Sequence, residues 1–152
     1  MKIAFGSDER THLTDFLAEE LVRLGHEVAV VGPPAGEELQ WTDVAERVAR
    51  EVASGEAAQG VLCCWTGTGV SMAANKVPGV RAALCGDAET ARGARRCNDA
   101  NVLCLSLRAT SETVAREILD AWFEGQPDPS EAENIEKVRE LDRRRAGACP
   151  GS

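Results

Sequence analysis

Short apolar runs alternate with longer amphipathic stretches along the chain, and this alternation restricts the fold more than any other feature of the sequence. The apolar runs at residues 2–5, 27–31, 60–64, 81–85 and 102–107 predict strands. Elsewhere, apolar residues recurring at three- and four-residue steps predict helices over residues 11–24, 43–54, 70–76, 87–96, 111–123 and 130–145. Thr42 is the expected N-cap of the second helix. The pattern predicts an α/β fold in which helices cover both faces of a five-stranded parallel, Rossmann-like sheet.

Composition argues against several classes of function. The formal net charge is -8, whereas nucleic acids and anionic membranes are bound by surfaces rich in Lys and Arg. No apolar run approaches the ~18–20 residues of a membrane span, and the first residues lack the form of a signal peptide. We therefore expect a cytoplasmic protein with no nucleic-acid or membrane partner. The two histidines and six cysteines form no C-x-x-C pair or His cluster, so we expect free thiols and no metal site.

A glycine-rich turn follows the third predicted strand. The carboxyl ends of parallel strands meet at one edge of a sheet, where ligands bind in this class of fold. Residues 66–71, with the sequence Thr-Gly-Thr-Gly-Val-Ser, lie at that edge and lead into a helix. Their uncovered N–H groups and the helix dipole would favour an anion, either a phosphate or a developing oxyanion. A simple tight turn is the alternative explanation.

Two residues at the same edge could act on protons. Cys64 ends the third strand, and a thiol near a helix N-terminus can act as a base or nucleophile. It could instead be a buried structural residue like Cys63, whose side chain should point to the opposite face of the sheet. Asp8 follows the first strand and could relay protons, hold a hydroxyl or cap the next helix. Residues 97–99 form a polar turn at the end of a helix.

Three segments in order, residues 2–8, 64–76 and 98–103, resemble ribose-5-phosphate isomerase B and the wider family of galactose-6-phosphate and allose-6-phosphate isomerases. The resemblance runs from residue 2 to about residue 124, and the segment G-x-G-x-S-x-A-A-N-K at residues 67–76 is its most specific part. It implies a three-layer αβα sandwich, with no metal or other cofactor. It also implies homodimers or homotetramers whose active sites lie between subunits.

The resemblance further implies an aldose–ketose isomerase, which moves a proton between adjacent carbons through an enediolate. Cys64 matches the family's base, and Thr66 matches a residue that moves protons between the substrate oxygens. Asp8 and Asn98 match residues that hold sugar hydroxyls, and the turn would stabilise the oxyanion. The expected catalytic residues are Cys64, Thr66 and Asp8, and the expected substrate-binding residues are Gly67, Gly69, Val70, Ser71, Asn98, Cys97, Arg10 and Lys137.

Several positions depart from the family pattern. Glu9 replaces a His, Trp65 replaces a Gly, and Cys97 stands where typical members have a His that opens the sugar ring. Glu133 and Lys137 align with two phosphate-binding arginines, and a glutamate has the wrong sign for a phosphate. Arg10, Lys137 and Arg139 are candidate substitutes, although each could be a solvated surface charge. A ring-opening acid is unnecessary for an open-chain substrate such as a tetrulose phosphate.

These departures predict an isomerase of a small sugar phosphate that is not efficient on ribose 5-phosphate. The alternatives are an isomerase of an unphosphorylated hydroxycarbonyl and a non-catalytic or heteromeric isomerase-like subunit. Residues 1–124 are expected to form the αβα domain. Residues 125–152 are expected to form a linker and a helix that packs on a partner subunit, because that helix has only a thin apolar stripe.

Overall fold

The computed structural model describes residues 1–147, so Cys149 lies outside the described part of the chain. The strands are β1 (Lys2–Ser7), β2 (Glu27–Val31), β3 (Gln59–Cys64), β4 (Ala82–Leu84) and β5 (Val102–Ser106). The helices are α1 (His12–Arg23), α2 (Trp41–Ala53), α3 (Thr68–Ala74), α4 (Ala88–Asn98), α5 (Glu112–Glu124) and α6 (Ala132–Ala146). All strand pairs are parallel, in the order β2-β1-β3-β5-β4. The predicted five-stranded parallel α/β fold is confirmed.

Strand alternation builds a separate hydrophobic core on each face of the sheet. On one face, Phe5 and Leu103 pack with apolar residues of α1, α4 and α5. On the other, Leu62 and Cys104 pack with apolar residues of α2 and α3. Because both faces are covered, the central strands are apolar at successive positions. The predicted three-layer αβα sandwich is therefore confirmed.

Side-chain caps begin α1 and α5, but not α2, for which Thr42 was the predicted cap. Thr11 caps α1 through a capping box with Thr14, and Ser111 caps α5. The prediction of Thr42 as N-cap was wrong, because α2 begins at Trp41 and its N-cap is Gln40, which makes no side-chain cap bond. The Trp41 ring packs on a residue of α3, so the chain enters the helix earlier than the polar residue suggested.

Helix α6 makes mainly polar contacts with its own chain. It buries Ile135 but leaves Val138 and Leu141 exposed. Asp142 accepts a hydrogen bond from the Gly79 N–H, and Arg145 donates to the carbonyl of Asn75. The helix therefore lies beside β4, the edge strand of the sheet. Its packing on a partner subunit stays a prediction. Within residues 1–147, no helix is long and apolar enough to cross a membrane.

Two asparagines of the family-like segments hold the edge of the sheet. The Asn75 side chain accepts from the Ala82 N–H at 2.8 Å and donates to the Ala82 carbonyl at 2.9 Å. Asn101 similarly accepts from the Arg81 N–H at 2.7 Å and donates to the Gly79 carbonyl. These side chains therefore satisfy backbone groups just before and within β4.

Candidate active site

The carboxyl ends of β1 and β3 are neighbours, because these strands pair directly with Ser7 opposite Cys63. Asp8 and Cys64, the residues that follow this pair, therefore lie at the same edge of the sheet. Cys64 is 6% exposed and belongs to the α2–α3 side, whereas Cys63 is fully buried on the other side. Burial, reinforced by Cys64 and Asp8, raises the pKa of the Cys63 thiol. Cys63 is therefore held as a neutral thiol and is unsuited to act as a base.

The turn after Cys64 leaves little space for a side chain at either of its glycines. Gly67 has φ +78°, and a Cβ there would lie 2.5 Å from the Leu84 side chain and 2.9 Å from the Leu105 carbonyl carbon. A Cβ on Gly69 would lie 3.0–3.3 Å from three atoms of the Trp41 ring. The G-x-G spacing thus follows from close packing on two sides of the turn, in addition to the left-handed backbone at the first glycine.

Helix α3 begins immediately after this turn, and Gly67, its N-cap, supplies no side-chain cap. The N–H groups of the first helical turn have no partner within their own helix. Those of Gly69 and Val70 are therefore candidates to bind an oxyanion, while the Val70 side chain is buried in the core. Ser71 is half-buried on the same helix. The structure brings these turn residues together at the edge that carries Cys64.

The hydroxyls of Thr66 and Thr68 are exposed and lie 2.8 Å apart, so either can donate to the other. Thr66 also lines a cleft of about 320 Å³ between the carboxyl ends of β3, β4 and β5. A hydroxyl in this position can exchange a proton with a ligand and with its neighbour. The site therefore includes two exposed hydroxyls that follow Cys64 closely in the sequence.

Three further polar residues line this cleft and were not among the predicted site residues, namely Ser106, Arg108 and Thr110. Arg108 is exposed, and within residues 1–147 no carboxylate lies within 4.0 Å of its guanidinium. It supplies a positive charge beside the site in a chain whose net charge is -8. Its place directly after the fifth strand was the signal that could have revealed it.

Asp8 is half-buried, and its Oδ1 atom is buried without a hydrogen-bond partner among the described residues. Burial, with a smaller contribution from Glu9, raises the pKa of the Asp8 carboxyl. Asp8 does not cap the following helix, because Thr11 does so. A buried acceptor left unpaired costs free energy, so this oxygen is suited to receive a hydroxyl from a ligand.

Four predicted binding residues lie away from this edge or are otherwise engaged. Arg10 is exposed and pairs with Asp15 at 3.0 Å. Cys97 and Asn98 end α4 ahead of β5, and therefore lie at the opposite edge of the sheet from Cys64. Lys137 lies on α6. One chain thus does not bring together all the residues that the resemblance assigns to substrate binding.

The opposite edge has its own groove. Asn98, Arg81 and Arg139 line a space of about 430 Å³ between β4 and α6. Lys137 pairs with Glu133 at 3.0 Å on the exposed part of α6, so the two aligned residues largely neutralise each other. Among residues 1–147, no group of three or more His, Cys, Asp or Glu side chains could hold a metal ion.

The protein thus has an α/β fold with a cysteine thiol and an uncapped glycine turn at the carboxyl ends of its strands. A family model described as Ribose/Galactose Isomerase matches residues 3–141. The chain belongs to this family, which confirms the resemblance and the prediction of an isomerase.

Relatives cover nearly the whole chain. It is 37% identical to "Ribose-5-phosphate isomerase B" of Escherichia coli over 149 residues, 95% of this chain and 98% of the relative. It is 34% identical to "D-erythrulose-4-phosphate isomerase" of Pectobacterium atrosepticum, over 91% of this chain and 93% of that one. The solved structure of Clostridium thermocellum ribose-5-phosphate isomerase B superposes with a TM-score of 0.88 at 36% identity, covering 95% and 99% of the two chains.

Proposed function

We propose that this protein interconverts an aldose and a ketose of a short, open-chain sugar phosphate through an enediolate. The observation that carries the proposal is the placement of the Cys64 thiol beside the uncapped turn at residues 67–71. A base and an oxyanion site must be neighbours in this reaction, because the charge develops on the oxygen next to the carbon that loses its proton.

The proton transfers can be assigned to named groups. Cys64, as the thiolate, removes the proton from the carbon next to the carbonyl, and the resulting thiol returns it to the adjacent carbon. The N–H groups of Gly69 and Val70 stabilise the oxyanion formed from the carbonyl oxygen. The Thr66 hydroxyl moves a proton between the two substrate oxygens, with Thr68 at 2.8 Å as its hydrogen-bond partner. No net proton is gained or lost, as isomerisation requires.

The two ends of the substrate need different partners. The unpaired Oδ1 of Asp8 accepts a hydrogen bond from a sugar hydroxyl, and this bond removes the free-energy cost of a buried acceptor without a partner. Arg108 supplies a cation at the cleft, suited to a phosphate oxygen. The Glu133–Lys137 pair contributes little charge for this purpose. An unphosphorylated substrate would leave Arg108 without such a partner.

Cys97 favours a four-carbon substrate. It stands where the resemblance places a ring-opening histidine, and its thiol is a poor substitute for an imidazole near neutral pH. In a four-carbon sugar 4-phosphate the oxygen that would close a five-membered ring is esterified, so the sugar stays open and needs no such acid. The relative from Pectobacterium atrosepticum, named for D-erythrulose 4-phosphate, supports this choice.

A second chain would complete the site. Asn98 lies at the opposite edge from Cys64 within one chain, so we propose a homodimer or homotetramer in which one subunit's amino edge faces the other's catalytic edge. The same arrangement would cover the exposed Val138 and Leu141 of α6. We further propose a cytoplasmic role in carbohydrate metabolism. The non-catalytic alternative is disfavoured because Cys64, Thr66 and the open turn are all retained.

The experiment that tests the proposal compares substrates in D2O. The protein is incubated with D-erythrulose 4-phosphate, free D-erythrulose and ribose 5-phosphate, and NMR follows both isomerisation and deuterium uptake at carbon. We expect rapid turnover of the four-carbon phosphate with deuterium at the carbon next to the carbonyl. Absence of turnover and of exchange with all three would refute the isomerase. Faster turnover of ribose 5-phosphate would refute the substrate assignment, and preference for free erythrulose would refute the phosphate.

A further inference from the structure

Trp41 packs against the turn that carries the proposed oxyanion site. It is the first residue of α2, and its side chain is 39% exposed although it is large and apolar. The position that a Cβ on Gly69 would occupy lies 3.0 Å from Trp41 Cε3, 3.1 Å from Cζ3 and 3.3 Å from Cδ2. The indole ring therefore lies directly over the Gly69 backbone, with no side chain between them.

Gly67, the first glycine of the turn, also lies close to neighbouring residues. A Cβ on Gly67 would meet the carbonyl group of Leu105, which belongs to the central strand β5. The turn thus contacts a strand backbone at Gly67 and the Trp41 ring at Gly69. Strand β5 pairs on both sides in the sheet and cannot yield easily, whereas Trp41 is a single side chain at the start of a helix.

The first turn of α3 has few hydrogen bonds of its own, although Val70 anchors it in the core. Helix α3 has only seven residues and no side-chain N-cap. Its first backbone bond, from the Ser71 N–H to the Gly67 carbonyl, is long at 3.3 Å. A short, uncapped helix has little stability of its own, so the N–H groups of this turn depend on packing, through the buried Val70 and through the contact of Gly69 with Trp41.

We infer that Trp41 is a positioning residue, which holds the Gly69 and Val70 N–H groups where the oxyanion of the reaction forms. This inference rests on the proposed function for its effect on rate. The indole does not touch the reacting atoms; it acts through the backbone of Gly69. A misplacement of about 1 Å at such a site can lower the rate about 10²-fold. Binding of the substrate before reaction depends less on these N–H groups, because other residues hold its other end.

The kinetic test compares Trp41→Ala, Trp41→Phe and the full-length wild-type protein on D-erythrulose 4-phosphate. We expect Trp41→Ala to lower kcat by roughly 10- to 100-fold while KM changes by less than about threefold, which indicates a loss confined to the transition state. Trp41→Phe, which keeps a flat ring, should recover most of kcat. Arg50→Ala is the control on the same helix, because it removes only an exposed pair with Glu46. A normal kcat in Trp41→Ala would overturn the inference.

A double-mutant cycle tests the contact itself and remains informative if Trp41→Ala is poorly stable. Gly69→Ala should lower kcat because its methyl group would press against the indole. In the Trp41→Ala background the same methyl group has space, so its additional effect should be smaller, and the two substitutions should be non-additive. Strict additivity would overturn the inference.

Amide hydrogen exchange separates this inference from the proposed function, because it needs no substrate. The Ser71 amide, which bonds to Gly67, should exchange roughly tenfold faster in Trp41→Ala than in the wild type or Trp41→Phe. Unchanged exchange would overturn the positioning role. If the wild-type protein turned over no sugar, the proposed function would fail while the exchange data still decided whether Trp41 orders the turn.

Discussion

Two adjacent cysteines provide a matched test of the proposed base. Cys64→Ala and Cys63→Ala remove the same atom from neighbouring residues of β3, at sites that are 6% and 0% exposed. They face opposite cores, and only Cys64 adjoins the turn. We expect Cys64→Ala to abolish most turnover with the fold intact, and Cys63→Ala to keep most of it.

The expected magnitudes differ because the two residues do different work. A positioned base contributes about 10²- to 10⁴-fold in rate, equivalent to about 2.7–5.4 kcal/mol of barrier. Loss of one buried sulfur resembles loss of one buried methyl group, which costs about 0.5–1.5 kcal/mol of unfolding free energy. For a chain of this size, each kcal/mol lowers Tm by roughly 2–4 °C. Both variants should therefore lose similar stability, and only one should lose its catalytic rate.

The assay measures kcat on the four-carbon phosphate and Tm by calorimetry for both variants. Deuterium uptake by the substrate reports the proton-abstraction step directly. Near-normal turnover in Cys64→Ala, with loss in Cys63→Ala, would show that either the strand phase or the assignment of the base is wrong. An equal loss of turnover in both variants, together with a large fall in Tm, would mean that the substitutions act by destabilising the fold and not by removing the base.

Three substitutions and one measurement on the unmodified protein test other parts of the proposal and of the fold. Cys97→His alone should not create efficient turnover of ribose 5-phosphate, because Glu133 and Lys137 still replace the aligned arginines; assays with that sugar check this. Because burial and Glu9 raise the pKa of Asp8, one component of the acid limb of kcat/KM should lie above pH ~4, the ordinary range of a carboxyl, and this component alone should disappear in Asp8→Asn. Glu20 is buried between Arg23 and Arg116, and its bonds to these arginines lower the pKa of its carboxyl. The ion pairs therefore stabilise the fold fully above the pKa that Glu20 has in the unfolded chain. This stabilisation is lost as the pH falls through the lower pKa of the folded state. Glu20→Gln should accordingly lower the free energy of unfolding by about 1.5 kcal/mol near neutral pH, as measured by urea unfolding. This value is at the low end for hydrogen bonds to a charged group, because both arginines are exposed. Light scattering at micromolar concentration should give a dimer or tetramer, and a monomer would count against the shared site.

The sheet was predictable because its signals are local. Residues buried on both faces make the central strands continuously apolar, so 60–64 and 102–107 could be recognised without tertiary information. Alternation along the strand then separated Cys63 from Cys64, as the structure has them. The carboxyl edge of a parallel sheet brought Asp8 and the glycine turn together by topology alone.

Contacts between distant parts of the chain were not predictable in this way. Nothing local to Trp41 indicates that its ring covers Gly69, and the sequence favoured Thr42 as the helix start. Arg108 was missed because a single arginine in a loop has no periodicity, although its place after the fifth strand put it at the carboxyl edge of the sheet. Asn98 was grouped with Cys64 through a resemblance, whereas the order of the elements, with α4 ending ahead of β5, places the two at opposite edges of the sheet within a chain.

The side-chain amide of Asn75 also occupies backbone groups at the outer edge of the sheet. A parallel sheet ends in a strand whose outer N–H and C=O groups invite another chain to add to it. By binding both groups of Ala82 at once, Asn75 occupies the attachment point that an incoming strand would use. With β4 only three residues long, little edge remains free for such growth. A residue of the segment most typical of the family thus also blocks strand addition at this edge of the sheet.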